Sequence, residues 1–125
     1  MIEIKKSKKI LLVDDDPVIV KLLENRLTEV GYKVVSALEA ADGLQIAISD
    51  SPDLIVLDVM MPIINGYNFC HLLKSEEGKK EIPIIFLTSR NSQEDIQIGH
   101  KMGADAYLTK PVDIGVLIDK IEELL

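Results

Sequence analysis

The chain has 125 residues, enough for one domain with a buried core of its own. With 14 Lys+Arg against 21 Asp+Glu the net charge is −7, which argues against this chain itself gripping nucleic acid, a task that needs a basic face. The single cysteine excludes an internal disulfide and a Cys-based zinc site, no apolar run approaches the ~20 residues of a membrane span, and no apolar signal segment opens the chain, so the expected location is cytoplasmic.

Residues 1–8, with Lys5, Lys6 and Lys8, read as a basic, solvated N-terminal tail, and 9–125 as one domain. The first predicted strand covers 9–14, where Ile10-Leu11-Leu12-Val13 runs into Asp14-Asp15-Asp16. A helix over 17–30 follows, with Pro17 at its first position, Ile19, Leu23, Leu27 and Val30 at helical spacing, and Gly31 as its stop. Asp16 reads either as its cap or as a carboxylate behind a metal site. A strand over 33–37 and a helix over 40–50, with Ala40, Leu44, Ala47 and Ile48 on its inner face, come next.

The third strand, 53–58, runs Leu54-Ile55-Val56-Leu57 into Asp58. A helix over 66–75 is expected to point Phe69, Leu72 and Leu73 inward, with Cys70 in the core. The fourth strand, 83–88, ends on Thr88. Ser92 and Asp95 resemble a capping box for a helix near 93–102. The fifth strand, 105–108, precedes Lys110-Pro111, and Asp113 caps a last helix whose Leu117, Ile118, Ile121, Leu124 and Leu125 face the core. His71 and His100 have no partner at ligand spacing and read as surface imidazoles.

Continuous apolar runs alternating with amphipathic stretches predict an α/β domain: a doubly wound, five-stranded parallel sheet in the flavodoxin-like order 2-1-3-4-5, in three αβα layers. In that order Asp14–Asp16, Asp58 and Thr88 converge on the carboxyl edge, where such sheets bind ligands. Two carboxylates ~4 Å apart repel by about 4 kcal/mol at an effective dielectric near 20, so the cluster calls for a cation. An all-oxygen ligand set favours Mg²⁺. An Asp is also a competent nucleophile toward phosphorus, and Lys110 and Thr88 suit the charge of a transferring phosphoryl group.

The chain resembles the receiver domains of bacterial two-component response regulators. The resemblance rests on Leu12-Val13-Asp14-Asp15-Asp16-Pro17, Asp58-Val59-Met60-Met61-Pro62 with Asn65-Gly66, Leu87-Thr88-Ser89, and Gly103-Ala104-Asp105-Ala106-Tyr107-Leu108-Thr109-Lys110-Pro111. It implies that Asp58 is the phosphoacceptor, and that Asp15, Asp58 and the Met60 carbonyl bind Mg²⁺, with Asp14 helping partly through water. Lys110 would pair with Asp58 when the site is empty, ahead of a cis Lys110–Pro111 bond. Thr88 and Tyr107 would form the switch, although Tyr107 alone also reads as a static edge-strand aromatic. Small Ser89 would keep the phosphoryl entrance open, and Arg90 lies where the family varies.

The resemblance further implies a phosphoacceptor switch and not a turnover enzyme. It would be loaded by a sensor histidine kinase or phosphotransfer protein and would signal to a downstream effector protein or domain through the 93–115 face. A phosphorylation-dependent homodimer through that face stays open. The alternatives are a phosphorylation-independent interaction module and an Asp-nucleophile phosphohydrolase; the second is disfavoured by Met60, since haloacid dehalogenase-like phosphatases place an Asp there. A flavodoxin-like FMN carrier is disfavoured by the acidic triplet, which would repel a phosphate.

Overall fold

Four long apolar runs become four strands because a parallel sheet covered on both faces asks for continuous hydrophobicity. In the computed structural model, which describes residues 8–61, 64–76, 78–79, 81–89, 97–98, 101 and 103–125, they are β1 (Lys9–Val13), β3 (Leu54–Asp58), β4 (Ile84–Thr88) and the shorter β5 (Ala106–Thr109). β2 (Lys33–Ala37) is the fifth, less buried strand. All pairings are parallel and the order is β2-β1-β3-β4-β5, as expected from the sequence.

Side chains alternate between two cores. Leu11, Val13, Ile55, Leu57, Ile84 and Phe86 pack toward helices α2 (Ala40–Asp50) and α3 (Gly66–Lys74). Ile10, Leu12, Leu54, Val56, Ile85 and Leu87 pack toward α1 (Pro17–Val30) and α4 (Ile114–Leu124). Close approach of α2 to the sheet depends on Gly43, where a Cβ would lie 2.7 Å from a Val13 methyl.

The helix signals act as their chemistry dictates. The Asp16 carboxylate accepts from the N–H groups of Val18 and Ile19, so it is the cap of α1, with Pro17 at the first position. Gly31 ends that helix in the left-handed region, at φ 119°. Asp113 caps α4 by accepting from Val116 N–H at 3.2 Å.

Three inward assignments are corrected. Leu72 is exposed, because the buried face of α3 is set by Phe69, Cys70 and Leu73, which leaves residue 72 on the outer side. Leu125 is exposed beyond the last turn of α4, and Ile48 sits at the outer margin of α2. Cys70 is fully buried as expected, and burial pushes its thiol up to about 11. The expected capping box Ser92–Asp95, Pro62, Arg90, His100 and residues 1–7 of the basic tail lie outside the described residues; Gln97, Ile98 and Lys101 are helical, in the stretch read as a helix.

β3, β4 and β5 each begin one residue later than expected, and for β3 and β5 the reason is a repeated device. Asp53 donates its N–H to the Lys9 carbonyl at 2.9 Å, and its carboxylate accepts from Lys9 N–H at 2.8 Å. Asp105 does the same to Ile84, at 2.8 Å through the backbone and 2.9 Å through the carboxylate. Each Asp clasps the first residue of the neighbouring strand and stands outside the ladder itself. Asp105→Ala leaves the Ile84 N–H without its acceptor and is expected to cost about 1–2 kcal/mol, read from the urea midpoint at unchanged slope.

Candidate functional site

The parallel register brings the strand ends level. Val13 pairs with Leu57, Asp58 with Leu87 and Thr88 with Thr109, so β1, β3, β4 and β5 end within one residue step of each other. Asp14 leaves β1 with its N–H donated to the Ala37 carbonyl of β2 at 3.2 Å. Its Oδ1 accepts from Asp16 N–H at 2.9 Å, which aims the other oxygen into the site. Asp58 Oδ1 accepts from Met60 N–H at 3.0 Å. Backbone donors therefore fix one oxygen of each carboxylate and leave the second for chemistry.

The carboxylates of Asp14, Asp15 and Asp58 each bring an oxygen within 4.8 Å of the others, and Asp15 is the exposed one of the three. Lys110 Nζ stands 2.8 Å from Asp14 Oδ2 and 3.5 Å from Asp58 Oδ2. The expected Lys110–Asp58 pair is present, and the shorter pair to Asp14 is an addition that sequence reasoning did not foresee. Lys110 reaches both because its own N–H is held by the Thr88 carbonyl at 2.8 Å, beside β4. The Lys110–Pro111 bond is cis, as expected.

The electrostatics follow from this crowding. Burial, opposed by the Met60 N–H and assisted by Asp14, holds the Asp58 carboxyl above the ordinary range; Lys110 pulls it back and Asp15 pushes it further up. Burial would lower Lys110, but its bonds and attraction to Asp14 and then Asp58 outweigh that and raise it. Buried Asp14 Oδ2 is paired with the Lys110 ammonium at 2.8 Å. Three carboxylates gathered around that single ammonium, with oxygen as the only donor type, fit a small hard cation.

Thr88 is fully buried at the end of β4, on the same strand face as Phe86. Phe86 packs edge-on against Tyr107 of β5, centroids 6.3 Å apart, and against Tyr67 of α3 at 5.6 Å. Tyr107 is half-buried. Met60 is 51 % exposed beside the acids, and Gly66 lies so close to Val59 that a Cβ would sit 2.8 Å from its Cα. That contact seats the loop after Asp58. The sequence marked Gly66 only as part of a motif, because a close approach between chain segments leaves no local signal.

An acidic cluster bridged by one Lys stands at the carboxyl edge of a 2-1-3-4-5 parallel sheet, the switch point where doubly wound folds place their ligands, and its chemistry suits a cation and a phosphoryl group. The response regulator receiver domain family matches residues 10–122, and the chain belongs to that family. It is 38% identical over 117 residues to the DNA-binding dual master transcriptional regulator RpaA of Synechocystis, covering 94% of this chain and 48% of that protein. It is 43% identical over 105 residues to the alkaline phosphatase synthesis transcriptional regulatory protein PhoP of Bacillus subtilis, covering 84% and 43%. The chain thus spans about half the length of these curated relatives. The chemotaxis protein CheY4 of Vibrio cholerae superposes with a TM-score of 0.89 at 31% identity, over 94% of this chain and 98% of that one.

The chain is therefore a two-component receiver domain, a member of a family of signalling proteins. Receiver domains bind Mg²⁺ at an acidic pocket, and response regulators work with histidine kinases and effector domains. Among the described residues no helix is long and apolar enough to cross a membrane.

Proposed function

We propose that Asp58 accepts a phosphoryl group from the phosphohistidine of a sensor kinase or phosphotransfer protein, and that the acyl phosphate resets Thr88 and Tyr107. The observation carrying this reading is the double hold on Asp58: Met60 N–H fixes Oδ1, and Lys110 lies 3.5 Å from Oδ2. One carboxylate oxygen is oriented for attack while a cation waits beside it. The P–N bond of the donor breaks, an O–P bond to Asp58 forms, and the imidazole leaves with a proton from solvent.

Asp15, Asp58 and the Met60 carbonyl would hold Mg²⁺, with Asp14 helping partly through water. When bound, the ion neutralises the carboxylates and the phosphoryl oxygens. Lys110 stays charged across the physiological range, since its neighbours raise its pKa, and moves from Asp14 and Asp58 onto the phosphoryl group. Val18 and Leu22, both exposed on α1 behind the acidic triplet, offer an apolar landing for the phosphodonor protein.

The phosphoryl group brings about −1.5 to −2 of charge, which draws the Thr88 hydroxyl and Lys110 toward it. Tyr107 turns into the space that Thr88 vacates, and the surface from 93 to 115 shifts its population toward the effector-binding form. Titration with beryllofluoride and Mg²⁺, a stable mimic of the acyl phosphate, is expected to move the Thr88 methyl and Tyr107 ring resonances together, with saturation at one equivalent. Movement confined to Asp14, Asp15 and Asp58 would leave a metal site without a switch.

A further inference from the structure

Beside the phosphorylation site lies a second concave surface that the phosphoryl-transfer reading does not use. A cavity of about 300 Å³ is lined by Asp15, Leu38, Glu39, Ala41, Met61 and Ile64, among others. A second of about 300 Å³, lined by Leu44, Gln45 and Ile48, shares Ala41 and Ile64 with it. Together they form one groove between α2 and the loop that follows Asp58. Leu38 and Ile48 are exposed at 47 % and 36 %. Ala41, Gln45 and Ile48 of α2, all exposed, recur at three- and four-residue spacing, so the wall is a helical stripe, and exposed Leu38 stands just ahead of the helix cap Glu39. From Ala41 to Ile48 it runs about 10 Å along the helix axis, two turns.

Charge distinguishes the occupant. Asp15 and Glu39 line one end and Asp42 stands beside them in the neighbouring cleft, whereas no Lys or Arg lines either cavity among the described residues. An acidic rim around an apolar stripe is complementary to an amphipathic helix with aliphatic anchors flanked by Lys or Arg. We infer that this groove docks a cationic amphipathic helix of a partner protein, with one basic residue reaching Asp15. Because Asp15 lines the groove and also belongs to the acidic cluster, the docked helix and a divalent cation compete for it, and the antagonism is reciprocal. The groove stands apart from the phosphoacceptor reading; only the antagonism rests on that reading.

The test uses the whole chain and a synthetic Leu/Lys helix of about 15 residues, long enough to hold helical form on a surface, with a Leu/Glu helix of the same pattern as control. Amide shifts on adding the Leu/Lys helix are expected to centre on Ala41, Gln45, Ile48 and Ile64, and the Leu/Glu helix is expected to produce none. An Ala41→Lys, Ile48→Lys variant, altered only at exposed positions and checked for an otherwise unchanged amide spectrum, is expected to bind at least about tenfold more weakly. Saturating Mg²⁺ is expected to weaken binding several-fold, and Asp15→Asn to remove that dependence while the shifts at Ile48 remain. Shifts spread over the whole acidic surface and unaltered in the double variant would overturn the docking site. Binding in the groove that ignores Mg²⁺ would overturn the contact to Asp15.

Discussion

The wild-type chain is expected to gain the mass of one phosphoryl group with acetyl phosphate and Mg²⁺, and Asp58→Asn to abolish that gain, a rate loss of roughly 10³-fold or more. The change is nearly isosteric, and the amide can still accept from Met60 N–H. What it removes is the anionic oxygen beside Lys110. An unchanged mass gain would move the acceptor elsewhere. The same variant carries a second signature of opposite sign. Burial holds the Asp58 carboxyl above its ordinary pKa, so the folded state binds the proton more tightly than the unfolded one. Stability then falls as pH rises from the unfolded value through the folded one, and the full penalty is present above the folded value. Asn lacks that penalty. In metal-free buffer at pH 7 the variant should melt above the wild type, and the advantage should fade below the usual carboxylate range. A variant dead to acetyl phosphate yet less stable at pH 7 would point to a damaged fold in place of a missing nucleophile.

The fold was legible because burial on both sheet faces leaves a mark that survives without context. Ile10–Val13, Leu54–Leu57 and Ile84–Leu87 are continuous apolar runs, and such runs are read correctly wherever both faces are covered. The acids could be assigned to one site because each stands where a run stops, and parallel register levels the stops. Other features leave no such mark. The Lys110–Asp14 pair depends on how a side chain crosses the sheet edge, which spacing does not encode. By pattern alone Asp53 and Asp105 start strands, since the sequence does not reveal that a carboxylate can replace a ladder position. Leu72 was misplaced because two Leu in succession satisfy helical periodicity equally well, and only the packing of Cys70 decides which one is inside.

Lys110 holds the acidic cluster together, and this sets up a measurable exchange between a side chain and an ion. Among the described residues Lys110 is the cation in contact with both buried carboxylates, at 2.8 and 3.5 Å. Lys110→Met leaves Asp14 and Asp58 facing each other uncompensated, and removing one partner of such a buried set costs about 3–5 kcal/mol. Mg²⁺ at a hundred times its dissociation constant adds about 2.7 kcal/mol to whichever chain binds it. For a domain of this size that raises the wild-type melting temperature by roughly 6–12 °C. Lys110→Met is expected to gain more than the wild type, because the repulsion relieved by the ion is larger and the affinity accordingly higher. Asp15→Asn is expected to lose most of the gain, since Asp15 is the exposed carboxylate of the cluster and would be a direct ligand of the ion. Calorimetric melts of the three chains with and without Mg²⁺ separate the cases. An equal Mg²⁺ shift in Asp15→Asn and wild type would place the ion outside Asp14, Asp15 and Asp58, and the cluster would then be acid crowding relieved by Lys110 alone.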